Sequence, residues 1–231
     1  MCMAASPEIE HEILRDKNVT AVTSRLESFA LASSVELTKG CLVVGIDPEK
    51  EDKITLLKDK LVEGSYITVG EPAVLLSQGL AQRLKLNAAD TVILIGQGYH
   101  GATAAGKYLI KGIVKFGSPE LNDKTLFMPL SAAQDFYGAY GMVTSYILSL
   151  KNIKALEATR LSVAAALGST YEVLTWETIL PEIKQHIEID YNSMKYIHGV
   201  LYLLICLGIF GTLLMMMEER KFEMGISGGI K

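Results

Sequence analysis

The longest apolar run of the sequence lies near its C-terminus. Residues 197–217 read IHGVLYLLICLGIFGTLLMMM and contain no Asp, Glu, Lys or Arg, with His198 at the edge. At 1.5 Å per residue, about 20 residues span a bilayer hydrocarbon core of roughly 30 Å. The run therefore predicts one transmembrane helix. The alternative is a helix buried in a soluble core, which would need a larger domain around it than the preceding residues supply.

The first 190 residues alternate short apolar runs with turn signals, which is typical of an α+β domain. Ser6-Pro7-Glu8 is a helix start, and the helix should run to about residue 16. The patterns predict strands at 19–31, 35–46, 66–69, 90–95, 108–116, 126–129, 145–150 and 171–175. The charged residues 49–63 fit either a short helix or a loop.

Three more helices are predicted between residues 70 and 170. One opens at Glu71-Pro72, since Leu75, Leu76, Leu80 and Leu84 have helical spacing. Residues 131–134 (SAAQ) match a capping box that opens a short helix ending near residue 138. Asn152 should cap a helix over 153–167, which Gly168 ends.

These elements suggest a division of the chain. The strand at 145–150, the helix at 153–167 and the strand at 171–175 form a βαβ unit, so residues 1–63 and 144–176 are assigned to one βαβ-type subdomain. Residues 64–143 become an inserted β-rich subdomain. Residues 177–196 read as a helix, either a stalk leading to the membrane or a helix packed on the domain's core. The transmembrane helix at 197–217 and a C-terminal segment at 218–231 follow.

Charge and cysteine content exclude several functions. The net charge is −4 with 21% charged residues, so nothing supports nucleic-acid binding. Cys2, Cys41 and Cys206 are widely spaced and odd in number, which favours free thiols over a disulfide framework or a metal site. His11, His100, His186 and His198 have no neighbours that would make a zinc pair or a catalytic triad. We therefore expect no enzyme activity, no cofactor and no metal.

Two glycine-rich motifs imitate nucleotide sites. Residues 96–101 (GQGYHG) fit G-x-G-x-x-G, but a dinucleotide site needs a helix to begin there, and a β-rich segment follows. Residues 101–108 (GATAAGKY) resemble a P-loop, but Tyr108 stands where Ser or Thr should bind Mg²⁺. A hairpin loop is the better interpretation of both.

Orientation follows from the flanking charges. Arg220 and Lys221 come directly after the apolar run, which favours a cytoplasmic C-terminus and places residues 1–196 outside the cytoplasm. Residues 1–6 have neither the basic nor the apolar region of a signal peptide. We therefore expect an upstream membrane helix, so that this sequence is part of a longer chain.

Three segments together resemble the FtsX-like permease family of ABC transporters, close to the lipoprotein-releasing (Lol-type) permeases and related to MacB-type ones. They are 40–51 (GCLVVGIDPEKE), 107–150 (KYLIKGIVKFGSPELNDKTLFMPLSAAQDFYGAYGMVTSYILSL) and 217–226 (MEERKFEMGI). The last is similar to the family's E-R-x-x-E-[IM]-G segment after the second membrane helix. The resemblance implies a MacB-like periplasmic core domain of α+β class, with a split βαβ porter-like subdomain and a β-rich insertion, plus one C-terminal transmembrane helix.

The resemblance also implies a role in the inner membrane. A separate ABC ATPase would bind the cytoplasmic face, with Glu219, Arg220, Lys221, Glu223 and Gly225 in the segment that transmits its motion; simple interfacial anchoring is the other interpretation of these charges. The remaining partners would be a second permease subunit, the membrane, and a lipoprotein or other periplasmic substrate. An FtsX-type scaffold that controls a cell-wall hydrolase, and a membrane-anchored nucleotide-binding enzyme, are the alternatives.

Overall fold

Strands drawn from most of the first 150 residues form one sheet. The computed structural model describes residues 2–179 and 181–227, with the backbone alone at 169, 179, 181–192 and 218–227. The strands are β1 Met3–Ala4, β2 Val19–Ser33, β3 Thr38–Ile46, β4 Leu61–Gly64, β5 Ala73–Ser77, β6 Thr91–Gln97, β7 Thr103–Val114, β8 Thr125–Pro129, β9 Met142–Val143 and β10 Ser145–Leu150. The helices are α1 Pro7–Leu14, α2 Pro48–Thr55, α3 Gln78–Leu84, α4 Pro119–Lys124, α5 Leu130–Tyr137, α6 Leu156–Leu167, α7 Trp176–Ile179 and α8 Pro181–Ser227.

Six of these strands close into a barrel. The pairing order is β2-β3-β8-β5-β7-β6, and β6 pairs back with β2. The β3–β8 and β5–β7 pairs are parallel and the other four pairs of the ring are antiparallel. Because β2 is 15 residues long, its first half pairs with β10 and its second half with β6. Closure of this kind removes free edges from the strands that take part.

The barrel interior is filled by its own side chains. Every one of the six strands sends buried residues into one cluster, and α3 and α5 add Leu80, Leu84, Ala133 and Phe136. A second cluster, which includes Ile46, Leu57, Ile67 and Phe127, brings β3, β5, β7 and β8 together with the segments that follow α2 and β4. A third packs α1 and α6 on β2 around Ile13, Val22 and Val163. The barrel therefore has a packed core.

Most predicted elements are confirmed. The helix at the N-terminus is α1, with Ser6 as its cap, and Asn152 caps the turn that leads into α6, which Gly168 ends. The strands predicted at 19–31, 35–46, 90–95, 108–116, 126–129 and 145–150 correspond to β2, β3, β6, β7, β8 and β10. The charged segment 49–63 contains α2, a 3₁₀ turn and β4.

Four predictions of local structure are wrong. The helix placed from residue 72 is instead β5 followed by the short α3, because Leu75 and Leu76 lie in a strand that is buried along its whole length. The strand predicted at 66–69 is irregular. The strand at 171–175 is also irregular, so the βαβ unit lacks its second strand. Helix α5 begins at Leu130 without a side-chain cap, so the capping box is absent.

The chain divides into two compact units, residues 1–173 and 174–231. Within the first, strands from 1–63, from 64–143 and from 145–150 share one sheet. The proposed subdomain boundary at 64 and 143 stays a prediction. The second unit contains α7 and α8, and α8 includes most of the predicted stalk, the whole apolar run and residues 218–227 of the C-terminal segment.

Within the described residues, one helical stretch is long and apolar enough to cross a bilayer. It is Ser193–Met217, with a mean hydropathy of 2.5 and none of it buried. A helix in the middle of a soluble core would be covered by other side chains, so the alternative of a buried soluble helix does not fit these 25 residues. Length, composition and exposure all agree with the predicted membrane helix.

Candidate functional site

The proposed coupling residues lie near the end of the long helix. Glu219, Arg220, Lys221, Glu223 and Gly225 all fall within α8, whose backbone is helical through residue 227. They follow the apolar stretch that ends at Met217. The side chains at these positions are outside the described part of the structure, so their role remains the prediction made from the sequence.

The GIDPE segment of the resemblance builds the junction between β3 and α2. The Oδ1 of Asp47 accepts hydrogen bonds from the backbone N–H groups of Glu49 and Lys50, at 3.0 and 3.1 Å, and so caps α2. Pro48 occupies the first helical position, where a missing N–H costs nothing. This pattern of residues therefore has a structural explanation at each of these positions.

Gly45 belongs to the same segment and permits a close approach of helix to strand. A Cβ built at this position would overlap the Cβ of Ala133 on α5. A residue larger than glycine would therefore push α5 away from the barrel wall. Gly40, five residues earlier on β3, has open space around it.

A buried charge pair lies beside this junction. Arg25 of β2 donates from Nε and Nη2 to the two carboxylate oxygens of Glu51 on α2, at 3.1 and 2.5 Å. The Glu51 side chain is only 1% exposed. Burial acts to lower the pKa of Arg25, but hydrogen bonds and charge from Glu51, with a smaller contribution from Glu27, raise it above its ordinary value. Arg25 is thus held charged, and the pair fixes α2 against β2.

The second segment of the resemblance contains the link between β7 and α5. The Oδ1 of Asn122 on α4 accepts from the backbone N–H of Phe116 at 3.1 Å, which fixes the turn after β7. Arg83 of α3 pairs with Asp123 of α4, and a Cβ at Gly79 would overlap that aspartate. These residues hold α3 against α4.

The glycine motif at 96–101 forms a hairpin, as the sequence predicted. Residues 99–101 make a single 3₁₀ turn between β6 and β7. A Cβ at Gly98 would collide with the backbone of Tyr137, so this position has room only for glycine. His100 has a positive φ of 58°, and its ring contacts that of Tyr99. A strand follows the motif, so neither arrangement for binding phosphate at a helix N-terminus is present here.

The other reactive groups have ordinary explanations. Cys41 is buried in the barrel, and burial raises the pKa of its thiol to about 12. Cys2 is partly exposed and Cys206 is exposed on the apolar stretch of α8. Among the residues whose side chains the structure describes (2–168, 170–178 and 193–217), no group of three or more His, Cys, Asp or Glu is arranged to hold a metal ion.

Sequence analysis missed an exposed apolar surface outside the barrel. We call it the outer face, formed by Phe29, Leu31, Ile93, Ile95 and Leu109, which are between 41% and 75% exposed. Two strand segments in the sequence could have indicated this surface, FALA at 29–32 and VILI at 92–95. Both are apolar at successive positions, so the side chains that point outward are apolar as well as those that point inward.

The fold is similar to those of two solved extracytoplasmic domains. It is similar to the extracellular domain of the noncanonic ABC-type transporter YknZ from Gram-positive bacteria, with a TM-score of 0.57 at 14% identity over 75% of this chain and 90% of that one. It is also similar to the periplasmic region of MacB from Actinobacillus actinomycetemcomitans, with a TM-score of 0.52 at 14% identity over 77% and 81% of the two chains. No protein-family model and no curated protein matches the sequence.

These structures confirm the predicted α+β fold with a MacB-like core and one apolar C-terminal helix. At 14% identity the likeness establishes the fold and leaves the activity to be proposed.

Proposed function

We propose that this chain is part of the permease subunit of an ABC transporter and couples a separate ATPase to motion of an extracytoplasmic domain. The observation that carries the proposal is the order of parts in one chain. A domain with the MacB-like fold is followed by α8, a helix of 47 residues. At 1.5 Å per residue this helix is about 70 Å long, more than twice the thickness of a hydrocarbon core.

The length of α8 supports a transmitting role. The apolar stretch occupies residues 193–217, so helix remains on both sides of it, from 181 to 192 and from 218 to 227. An unbroken helix resists bending better than a helix–loop–helix, and it would carry a displacement from one side of the bilayer to the other. The chain itself would have no catalytic centre and would take up no cofactor.

The orientation is part of the proposal. Arg220 and Lys221 favour a cytoplasmic C-terminus, with residues 1–196 on the outer side of the inner membrane. Cysteine introduced by Val35→Cys, at a fully exposed position of the domain, should react with a membrane-impermeant maleimide in spheroplasts, in a background lacking Cys2 and Cys206. Cysteine introduced by Lys231→Cys should react only after lysis, and the reverse pattern would refute this orientation.

Binding of the ATPase tests the central claim. We expect an ABC ATPase subunit from the same cells to co-purify with the intact permease in detergent. Reversing the charges with Arg220→Glu and Lys221→Glu should reduce its recovery several-fold, because the coupling segment would lose its contacts. Lys39→Glu and Lys154→Glu, on the domain, serve as the matched control. Equal recovery from both pairs would exclude a coupling role for residues 218–227.

The cargo is the finer part of the proposal. We propose lipoprotein release or MacB-like export, on the basis of the sequence resemblance and the MacB-like fold. ATP-dependent release of a radiolabelled lipoprotein from proteoliposomes would support the first. ATP-dependent stimulation of a cell-wall hydrolase without release would instead favour the FtsX-type scaffold. Binding of ATP or NAD to residues 1–190 would overturn both.

A further inference from the structure

A crevice lies between helix α3 and strand β4, at the end of the sheet. Strand β4 pairs with β7 along one edge and comes last in the sheet order, so its other edge is unpaired within the described residues. Helix α3 packs over the neighbouring strands β5 and β7. The space between α3 and β4 has a volume of about 370 Å³. Such a volume holds roughly twelve water molecules, so it can take a short stretch of peptide or a small molecule of similar size.

A β-bulge directs two consecutive side chains of β4 to the crevice. In a regular strand, neighbouring side chains point to opposite faces of the sheet. Val62 and Glu63 nevertheless both line the crevice, because the register between β4 and β7 shifts between Leu61 and Glu63. Such a shift places one extra residue in a strand and changes the direction of its side chains, and bulges are frequent at sheet edges and beside active sites.

Both walls of the crevice are held in place by close packing. A Cβ at Gly64, at the end of β4, would overlap the backbone oxygen of Lys111 on β7. On the other wall, a Cβ at Gly79 of α3 would overlap Asp123 of α4, and Arg83 of α3 forms an ion pair with the same aspartate. The crevice is therefore preformed, and a preformed site loses little conformational freedom when a ligand binds.

The crevice has polar walls and an apolar floor. The floor is formed by Ala81 of α3 and Ile113 of β7, which are 2% and 6% exposed. Glu63 stands on β4 and Lys85 directly follows α3, so a carboxylate and an ammonium group line the crevice from opposite walls. Among the described residues, five lining side chains have no hydrogen-bond or ion-pair partner and are available to a ligand: Glu63, Gln78, Gln82, Lys85 and Asn87.

We infer that this crevice binds a short, extended segment of another polypeptide, which pairs with the free edge of β4. On either side of β4, the carbonyl of Lys60 accepts from the N–H of Lys115, and the N–H of Ser65 donates to the carbonyl of Lys111, both at 2.9 Å. Backbone groups of a strand alternate between its two edges, so β4 also directs N–H and C=O groups away from β7. Adding a strand to an exposed sheet edge is a common way in which proteins bind peptides.

The side chains of the crevice fit the same ligand. A side-chain amide carries both a donor and an acceptor, as a peptide group does, so Gln78 and Gln82 can bind the backbone of the segment. Every second residue of an extended segment points to the same face. A small apolar residue would therefore cover the floor, and basic and acidic residues two positions to either side of it would meet Glu63 and Lys85.

Two further features define the ligand. Strand β4 has four residues and contains a bulge, so its edge pairs with a short segment and does not template a growing sheet. The lining of the crevice, which lies within the described residues, includes no aromatic side chain on which a sugar ring could pack, and this favours a peptide over a glycan. The inference goes beyond the proposed coupling, because it gives the extracytoplasmic domain a polypeptide ligand of its own.

Fluorescence anisotropy with the intact chain in lipid nanodiscs tests the inference. The probe is the peptide KTVTE, with fluorescein at its N-terminus and an amide at its C-terminus, in which the lysine, valine and glutamate share one face of the extended chain. Gln82→Trp, at an exposed position of α3, blocks the crevice and should weaken binding by about tenfold or more. Gln97→Trp, at an exposed position of β6 outside the crevice, is the matched control and should bind like the parent. Equal affinities of the two variants, or no binding to the parent, would overturn the inference.

Backbone methylation of the probe tests pairing with β4 directly. A methyl group on one backbone nitrogen removes one N–H donor and keeps every side chain. Because N–H groups alternate between the two edges of a strand, methylation at every second residue should weaken binding several-fold, and methylation at the residues between should have little effect. The same loss at every position, or no loss at any, would contradict addition of the peptide to the edge of β4.

The charges on the two walls provide a third readout. Glu63→Gln together with Lys85→Gln should weaken binding of KTVTE by about tenfold and leave binding of the uncharged peptide STVTS unchanged. Glu36→Gln together with Lys39→Gln, both exposed and outside the crevice, is the matched control. An equal loss for the two peptides, or displacement of the probe by free valine or N-acetylglucosamine as effectively as by unlabelled KTVTE, would contradict the inference. None of these measurements needs the ATPase, so this site and the proposed coupling can fail separately.

Discussion

Arg25 and Glu51 form a two-point hydrogen-bonded ion pair that ties β2 to α2. The carboxylate is 1% exposed and both of its oxygens are engaged. Removing one partner leaves the other charge buried without compensation, whereas replacing both removes the desolvation cost as well.

We therefore predict that Arg25→Met lowers the free energy of unfolding by about 3–5 kcal/mol. The double variant Arg25→Met, Glu51→Met should recover most of this loss. Urea unfolding followed by fluorescence measures both. A double variant no more stable than the single one would show that the pair contributes net stability and does not merely satisfy a buried charge.

Gly45 should tolerate no side chain. Gly45→Ala puts a methyl group into the Cβ of Ala133 and should cost about 1–3 kcal/mol through overpacking. Gly40→Ala, in the same strand with open space around it, is the matched control and should be close to neutral. Thermal unfolding compares the two, and partial rescue of Gly45→Ala by Ala133→Gly would identify the contact directly.

Asp47 should matter as a helix cap. Asp47→Ala removes the acceptor for two backbone N–H groups of α2 and should cost about 1 kcal/mol. Asp47→Asn keeps an acceptor oxygen and should lose less. If Asp47→Asn and Asp47→Ala are equally destabilising, the negative charge of Asp47 stabilises α2, rather than its hydrogen bonds.

The prominence of the GIDPE segment in the sequence can thus be explained by packing. Its cap and its proline could be predicted because they act within a few residues of each other. The contact of Gly45 with Ala133 could not, since 88 positions separate the two residues and only the closed barrel brings them together.

The errors in the sequence-based assignment have the same origin. Leu75, Leu76, Leu80 and Leu84 have helical spacing, yet the first two lie in a strand that is paired on both sides and buried on both faces. Such strands read as continuous apolar runs and cannot be told from buried helix by periodicity. Residues 171–175 are irregular although their sequence suggests a strand. A strand needs a neighbouring strand to pair with, and the local sequence does not show whether one is present.

Glu71 gives a prediction about pH. Its carboxylate accepts hydrogen bonds from Lys111 and from Thr68 Oγ1, and these hold the pKa of Glu71 below its ordinary value of 4.5. Because the pKa is lower in the folded state, the ionised Glu71 stabilises the fold at pH values above its ordinary pKa. This stabilisation is lost as the pH falls through the folded-state pKa.

Glu71→Gln should therefore unfold at a lower temperature than the parent at pH 7, and the difference should shrink below pH 4.5. Melting curves between neutral and acidic pH measure this. Glu120→Gln is a suitable control, because that side chain is 80% exposed and only loosely paired with Lys124. A difference that grows on acidification would contradict the sign of the effect.

The three thiols should differ in reactivity. Cys41 is buried and the pKa of its thiol is raised to about 12, so it should resist maleimide at pH 7 until the protein unfolds. In membranes, Cys206 should be protected from a charged maleimide, which does not enter the lipid, while Cys2 should react with it. Mass spectrometry of the labelled chain separates the three sites.

The pairing of β2 also sets the order in which the domain can be completed during synthesis. Arg25 pairs with Ser145, which the ribosome adds 120 residues later. At about 5–20 residues per second, this half of β2 waits roughly 6–24 s for its partner. Meanwhile the edge of β2 that pairs with β10 stays exposed, so folding of this domain depends on protecting β2 until β10 has emerged.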